Sequence, residues 1–188
     1  MLYDLRLRPQ QPAIPAPDAF TVHRREVPAS KGRDGLSLGF VREGVGGYPL
    51  LLLHGYPETK RIWWRNIGAL AEAGYEVIAP DLRGYGDSDL SADDVYDLAA
   101  WSRDAYLLVH DVVGHERCGV IGGDLGGAIS IDLVHRYPGF VEKLVFFDSV
   151  PPFLFEDYAA AGIDVSSIRA HRRRADERLP VSARRDAG

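Results

Sequence analysis

The segment Gly122-Gly123-Asp124-Leu125-Gly126-Gly127 decides the fold. It directly follows a short apolar run, Arg117–Gly122, that predicts a buried strand, and it opens Leu125–Tyr137, whose pattern predicts a helix. The small residues on either side of Asp124 allow the strand and the helix to approach closely while the chain turns sharply. The segment therefore predicts a tight strand-to-helix turn with a carboxylate at its apex.

Strands and helices alternate outward from this turn. Short apolar runs bounded by Gly, Pro or Asp predict six strands: Phe20–Val27, Leu36–Arg42, Tyr48–Leu53, Tyr75–Pro80, Arg117–Gly122 and Val141–Phe147. Apolar residues at three- and four-residue spacing predict three helices: Lys60–Ala73, Asp94–Val113 and Leu125–Tyr137. This order predicts an α/β fold with right-handed crossovers and a mostly parallel sheet covered by helices on both faces.

Composition narrows the class of protein. The 188 residues are 46% hydrophobic and carry 22 Lys+Arg against 27 Asp+Glu, for a net charge of -5, which favours a globular domain and no nucleic-acid partner. The single cysteine, Cys118, has no internal disulfide partner, and no Cys/His cluster has the spacing of metal ligands. No apolar run is long enough for a signal peptide or a membrane helix. We expect a soluble, cytoplasmic protein.

Asp124 is the first candidate for chemistry. At the turn its carboxylate would face the N–H groups of the next helix, which favour the ionised form. An ionised carboxylate in that place can attack an electrophilic carbon and form an ester. The alternative interpretation is that Asp124 only caps the helix on a glycine-rich turn.

The segment His54-Gly55-Tyr56-Pro57 follows an earlier predicted strand. In a parallel sheet it would open onto the same edge as Asp124. The backbone N–H groups of Tyr56 and Leu125 are then predicted to form an oxyanion hole. We interpret His54 as a residue that orders the loop, together with Gly55 and Pro57, and Tyr56-Pro57 as a candidate for a cis bond.

A third loop, Asp81-Leu82-Arg83-Gly84-Tyr85-Gly86-Asp87-Ser88-Asp89, follows another predicted strand. Its glycines and short polar residues are typical of a structural loop. Asp81, Arg83 and Asp87 are therefore expected to support the site from outside.

Taken together, HGYPE (54–58), DLRGYGDSD (81–89) and GGDLGG (122–127) resemble the epoxide hydrolase and haloalkane dehalogenase branch of the α/β-hydrolase fold, from about Leu36 to Pro152. The resemblance implies that Asp124 is an alkylating nucleophile, with the amides of Tyr56 and Leu125 around the oxyanion. It also implies a small-molecule substrate, an epoxide or an alkyl halide, and no metal or organic cofactor.

The sequence departs from that branch at several positions. Leu125 stands where epoxide hydrolases and many dehalogenases have Trp, which counts against a halide site. Fluoroacetate-type dehalogenases carry Arg one and four residues after the nucleophile to hold a carboxylate, whereas this chain has Leu125 and Ala128. This difference counts against a fluoroacetate-type substrate. Asp148 occupies the place where some members carry their acid, although it equally suits a turn before Pro151.

Length is the largest departure. Family members need a cap, further strands and a late catalytic histidine, whereas the only histidine beyond Asp148 is His171. We therefore expect an extended N-terminal arm (1–19), a truncated α/β-hydrolase core (20–152) that stops before the last strands, the start of a cap (153–168) and an Arg-rich tail (169–188). The tail suits a basic arm for an acidic partner, a solvated end or a changed reading frame.

The leading functional hypothesis is an epoxide hydrolase-like enzyme that is incomplete, weakly active or inactive. One alternative is a haloalkane dehalogenase-like hydrolase. Another is a non-catalytic binding module that a partner completes, because the strand Val141–Phe147 would leave an exposed sheet edge suited to oligomer formation.

Overall fold

The computed structural model describes residues 13–30, 34–149 and 155–162. The start of the predicted arm and the whole Arg-rich tail, with His171, lie outside these ranges. The chain divides into two compact units, residues 1–149 and 150–188. The described part of the second unit is one short helix, Phe155–Ala160, so the cap assigned to 153–168 stays a prediction.

The first unit is built on a six-stranded sheet. Its strands are β1 (Val22–Val27), β2 (Leu36–Glu43), β3 (Tyr48–Leu53), β4 (Tyr75–Pro80), β5 (Cys118–Gly123) and β6 (Val141–Phe147). They lie in the order β1-β2-β4-β3-β5-β6. β3 pairs in parallel with β4 and β5, and β5 with β6, while β1 and β2 are antiparallel. The predicted mostly parallel sheet is confirmed.

Three longer helices connect the parallel strands. A 3₁₀ turn, Lys60–Trp63, leads into α1 (Trp64–Glu72), α2 (Leu98–Leu107) continues as a π-helical turn, Leu108–Val113, and α3 spans Leu125–Arg136. The short helix Phe155–Ala160 is α4. No helix within the described ranges is long and apolar enough to cross a membrane.

The predicted start of the second helix, at Asp94, was wrong. Asp94 has a positive φ of 52°, and α2 begins only at Leu98. The reason is a cap: the Asp97 side chain accepts a hydrogen bond from the Ala100 N–H at 2.7 Å. The apolar spacing reached back to Val95 and so hid the true N-terminus.

The two faces of the sheet bury separate apolar cores. Alternate residues of β3 point to opposite faces, so Leu50 and Leu52 pack with α1, whereas Leu51 and Leu53 pack with α2 and α3. The core under α1 also contains Val41, Trp63, Trp64, Ile67, Val77 and Ala79. β3 is therefore buried on both faces, which explains its uninterrupted leucines.

β6 is at one edge of the described sheet. Its residues Val145, Phe146 and Phe147 are exposed although they are large and apolar. The oligomer predicted for this edge stays a prediction.

His54 joins the loops that follow β3 and β4. Its ring is buried, the Nδ1–H donates to the Gly55 carbonyl at 2.9 Å, and Nε2 accepts from the Leu82 N–H at 3.0 Å. These partners define the neutral tautomer. Burial lowers the pKa of His54 below its ordinary value.

The buried side chain of Lys60 also connects the loop after β3 with the loop after β4. Asp81 accepts hydrogen bonds from the backbone N–H of Lys60 at 2.8 Å, from its Nζ at 2.5 Å and from the Asp87 N–H at 2.7 Å. Lys60 Nζ also lies 2.5 Å from Asp87 Oδ2, and this hydrogen bond lowers the pKa of the Asp87 carboxyl. Gly86 is needed here, because a Cβ on it would lie 2.2 Å from Asp81 Oδ2.

Arg83 ties the loop after β4 to α2. Its Nε and Nη2 donate to the two carboxylate oxygens of Asp104 at 2.6 and 2.8 Å, and all the groups involved are buried. Arg103 Nη1 donates to the same carboxylate at 3.0 Å. One buried carboxylate thus accepts hydrogen bonds from two guanidinium groups, and Arg83 has a second, longer contact with Asp93 at 3.7 Å.

We expect Asp104→Asn to lower the free energy of unfolding by about 3–5 kcal/mol, because two buried guanidinium groups lose their shared carboxylate and only Arg83 keeps a longer contact, with Asp93. Urea unfolding followed by tryptophan fluorescence measures this loss. The matched control is Asp132→Asn, which removes the two-bond contact with the exposed Arg136 within α3 and should cost no more than about 1 kcal/mol. Equal losses in the two variants would contradict the expectation.

We also expect His54 to make stability depend on pH. Because folding lowers its pKa, the unfolded chain binds more protons than the folded chain below the ordinary value of about 6.5. The contribution of His54 is therefore complete above that pH and is lost as the pH falls, by at most about 1.4 kcal/mol per pH unit.

Urea unfolding between pH 5 and 7.5 tests this dependence. The slope of unfolding free energy against pH should be smaller in His54→Gln than in the wild type. His135→Gln, at an exposed position of α3, is the matched control. A slope that is the same in His54→Gln and in the wild type would refute the assignment.

Candidate active site

Asp124 occupies a strained turn between β5 and α3. Its backbone has φ 51° and ψ −121°, a region that residues with a side chain rarely adopt. The Asp124 N–H donates to the Phe147 carbonyl at 3.2 Å, and its own carbonyl accepts from the N–H groups of Gly127 and Ala128 at 3.1 and 3.2 Å. Hydrogen bonds from β6 and α3 therefore hold the turn.

Gly122 and Gly126 allow the first turn of α3 to pack closely against β3 and β5. A Cβ on Gly122 would lie 2.3 Å from the Gly126 carbonyl oxygen, and a Cβ on Gly126 would lie 2.3 Å from that of Leu53. Neither position accepts a side chain without moving the backbone. The close approach predicted around Asp124 is present.

The carboxylate of Asp124 is held by the loop after β3. Its Oδ1 accepts a hydrogen bond from the Tyr56 N–H at 2.9 Å. The side chain makes no capping hydrogen bond to α3, so the alternative interpretation as a helix cap does not describe this geometry. Leu125 is the first residue of α3, and its N–H therefore precedes the hydrogen bonds of the helix itself.

The loop after β3 is shaped to bring Tyr56 to Asp124. A Cβ on Gly55 would lie 2.7 Å from the Cβ of Asp124, so a larger residue would push the two apart. The Glu58 carboxylate accepts from the Gly55 N–H at 2.9 Å. The Tyr56-Pro57 peptide bond is cis.

A small cavity of about 60 Å³ lies beside Asp124. Its lining residues are Leu53, His54, Gly55, Glu58, Ile62, Trp63, Gly123, Asp124, Phe147 and Asp148. Asp148 follows β6 and has a positive φ of 52°. The structure thus brings Asp124 and Asp148 to one cavity. The buried indole N–H of Trp63 has no hydrogen-bond partner among the described residues.

Of the predicted supporting residues, His54 lines the cavity and Asp81 and Arg83 lie outside its lining. Both ring nitrogens of His54 bind backbone groups. Asp81 holds Lys60, and Arg83 holds Asp104. No group of three His, Cys, Asp or Glu residues in the described part of the chain is arranged to hold a metal ion.

Sequence reasoning missed several residues near Asp124. Glu58 orders the loop through Gly55, Ser149 Oγ lies 2.6 Å from the Asp124 carbonyl oxygen, and Tyr85 packs its ring 5.2 Å from that of His54. Burial raises the pKa of Tyr85, and its proximity to Tyr56 and Asp124 adds to the rise. Its phenol therefore stays protonated near the carboxylate. None of these contacts has a signal in local sequence spacing.

Comparisons with known proteins match the same region. The chain is 39% identical over 118 residues to the soluble epoxide hydrolase of Corynebacterium sp. (strain C12), over 63% of this chain and 40% of that relative. Epoxide hydrolase A from Mycobacterium thermoresistibile superposes with a TM-score of 0.59 and 34% identity, over 67% of this chain and 39% of that one.

A probable hydrolytic enzyme from Pseudomonas aeruginosa PAO1 superposes with a TM-score of 0.63 and 31% identity, over 70% of this chain and 42% of that chain. The present chain thus spans about two fifths of the length of these three proteins. A family model for the alpha/beta hydrolase fold matches residues 48–169. With its parallel sheet and this match over more than half of its length, the chain belongs to the α/β-hydrolase fold family.

Proposed function

We propose that Asp124 is the nucleophile of an epoxide hydrolase-like reaction. The observation that carries the proposal is the hydrogen bond from the Tyr56 N–H to Asp124 Oδ1. With Oδ1 held by the backbone, Oδ2 is the oxygen available for attack. It forms a bond to an epoxide carbon, the ring carbon–oxygen bond breaks, and the released alkoxide takes a proton from solvent.

The same backbone groups suit the second half of the chemistry. Attack of water on the carboxyl carbon of the ester, with release of one proton to solvent, produces a tetrahedral intermediate with its negative charge on Oδ1. The Tyr56 N–H already lies 2.9 Å from that oxygen, within the range expected of an oxyanion-hole donor. We propose the Leu125 N–H as the second donor and Asp148, on the same cavity, as the acidic residue of the site.

The described residues support ester formation better than ester hydrolysis. Among them, His54 is the histidine that lines the cavity, and its two ring nitrogens are already engaged. It therefore acts as scaffold and not as the base that activates water. We infer that the ester persists in this chain and that full turnover is weak or absent.

We propose an epoxide as the small-molecule substrate. The relative from Corynebacterium and the structure from Mycobacterium thermoresistibile are both named epoxide hydrolases. Leu125 stands where the resemblance to many dehalogenases would place Trp, which counts against a halide site and makes an alkyl halide the second candidate. A cytoplasmic setting is part of the proposal, because the single cysteine, Cys118, is buried and has no internal disulfide partner.

Intact-mass spectrometry with styrene oxide tests the proposal. We expect the wild type to gain the mass of one epoxide, with peptide mapping placing the gain on Asp124. Asp124→Asn should abolish it, because a neutral amide is a poor nucleophile. The matched control is Asp94→Asn, since Asp94 is exposed and has a similar φ of 52°; it should keep the full gain.

Two outcomes distinguish the alternatives. Folded wild type that shows neither a mass gain nor conversion of styrene oxide to its diol would overturn the enzyme proposal in favour of a non-catalytic module. A faster reaction with a primary alkyl bromide than with styrene oxide, with loss of bromide, would favour the dehalogenase-like alternative.

A further inference from the structure

We propose that Ser149 is a positioning residue that holds the Asp124 turn in the geometry needed for attack. The proposal rests on the nucleophilic role proposed for Asp124. Ser149 follows β6 and lies 25 positions from Asp124 in the chain, yet its Oγ is 2.6 Å from the Asp124 carbonyl oxygen and 3.1 Å from that of Phe147. A hydroxyl has one proton to donate, and the shorter contact makes Asp124 the acceptor.

With Ser149, the Asp124 backbone is hydrogen-bonded to β6 or the residue after it at both its N–H and its carbonyl. On the N-terminal side, the Asp124 N–H donates to the Phe147 carbonyl at 3.2 Å. On the C-terminal side, the Asp124 carbonyl accepts from Gly127 and Ala128 within α3 and from Ser149 outside it. Ser149 thus fastens the helix side of the turn to the end of β6.

The adjacent glycine fits this contact. A Cβ on Gly127 would lie 1.9 Å from Ser149 Oγ and 2.7 Å from its Cβ, so a side chain there would displace the serine. Gly127 does not have a positive φ, and its backbone conformation is therefore open to any residue. A glycine inside a helix costs stability relative to alanine. We infer that close approach of Ser149 is the reason for glycine at position 127.

The turn needs this additional hydrogen bond because Asp124 has a positive φ, a backbone conformation that is unfavourable for a residue with a side chain. Without the Ser149 hydroxyl, a larger share of molecules would relax at Asp124 and move Oδ1 away from the Tyr56 N–H. The carboxylate would then be less often aligned for attack. The expected loss is in the rate of the bond-forming step and not in substrate affinity.

Ester formation in Ser149→Ala tests the role. We expect the maximal rate of adduct formation with styrene oxide to fall about fivefold, the usual effect of one lost hydrogen bond, with little change in the half-saturating epoxide concentration. Ser149→Thr keeps the hydroxyl and should restore most of the rate. Ser102→Ala is the matched control, because Ser102 Oγ donates to the Ile129 carbonyl between α2 and α3; it should leave the rate unchanged.

Amide hydrogen exchange tests the same contact without any reaction. The N–H groups of Gly127 and Ala128 donate to the Asp124 carbonyl, so both should exchange several-fold faster in Ser149→Ala than in the wild type. The middle of α3 should be unaffected, which also establishes that the variant is folded. Ser149→Thr should restore protection.

The two measurements separate the possible failures. Wild-type adduct formation with an unchanged rate in Ser149→Ala would overturn the positioning role while Asp124 remains the nucleophile. If the wild type forms neither adduct nor diol, the proposed function fails and takes the positioning role of Ser149 with it. Hydrogen exchange then tests only the structural contact between Ser149 and the Asp124 carbonyl. Unchanged exchange at Gly127 and Ala128 in Ser149→Ala would overturn the fastening as well.

Discussion

The hydrogen bond between the Tyr56 N–H and the Asp124 carboxylate depends on two backbone segments that meet at one edge of the sheet. β3 and β5 are parallel neighbours with Leu53 opposite Gly122, so the loop after β3 and the turn after β5 leave the sheet side by side. A slip of one residue in this register would direct the side chains to the opposite faces. The glycines around Asp124 then allow contact distances that no other residue permits.

Behind this edge the protein buries charge to give its loops a defined shape. The loops after β3 and β4 lack the ladder of hydrogen bonds that a strand supplies, and buried backbone groups still need partners. His54, Asp81 and Arg83 supply them or bind the groups that do. Such buried ion pairs add little net stability compared with apolar packing, but they define geometry, because removing one partner leaves a buried charge less well compensated. Asp81 and His54 thus connect the loop that contains Tyr56 to the loop that follows β4.

Sequence patterns were sufficient for elements that obey one local rule. The strands β3, β4 and β6 have the bounds that their apolar runs predicted, and the turn at Asp124 follows from adjacent glycines. Patterns failed where two local rules compete, as at α2, where apolar spacing through Val95 conflicted with the cap at Asp97.

Patterns also failed where the decisive partner is distant in the chain. Lys60 was read as part of an ordinary helix, yet it is buried because Asp81 and Asp87, 21 and 27 positions away, receive its ammonium group. Ser149 was overlooked for the same reason. Its importance depends on a carbonyl in another element, and no spacing within its own segment indicates that contact.

Under the proposed chemistry, the two halves of the reaction place opposite demands on the Tyr56 N–H. In the resting protein it binds a carboxylate whose charge is shared over two oxygens. Alkylation of Oδ2 removes that charge, so the hydrogen bond weakens and opposes the first step slightly. Attack of water restores a full charge on Oδ1, so the same bond becomes strongest in the tetrahedral intermediate. A neutral backbone donor suits both steps, because a cation in its place would hold the carboxylate too tightly to react.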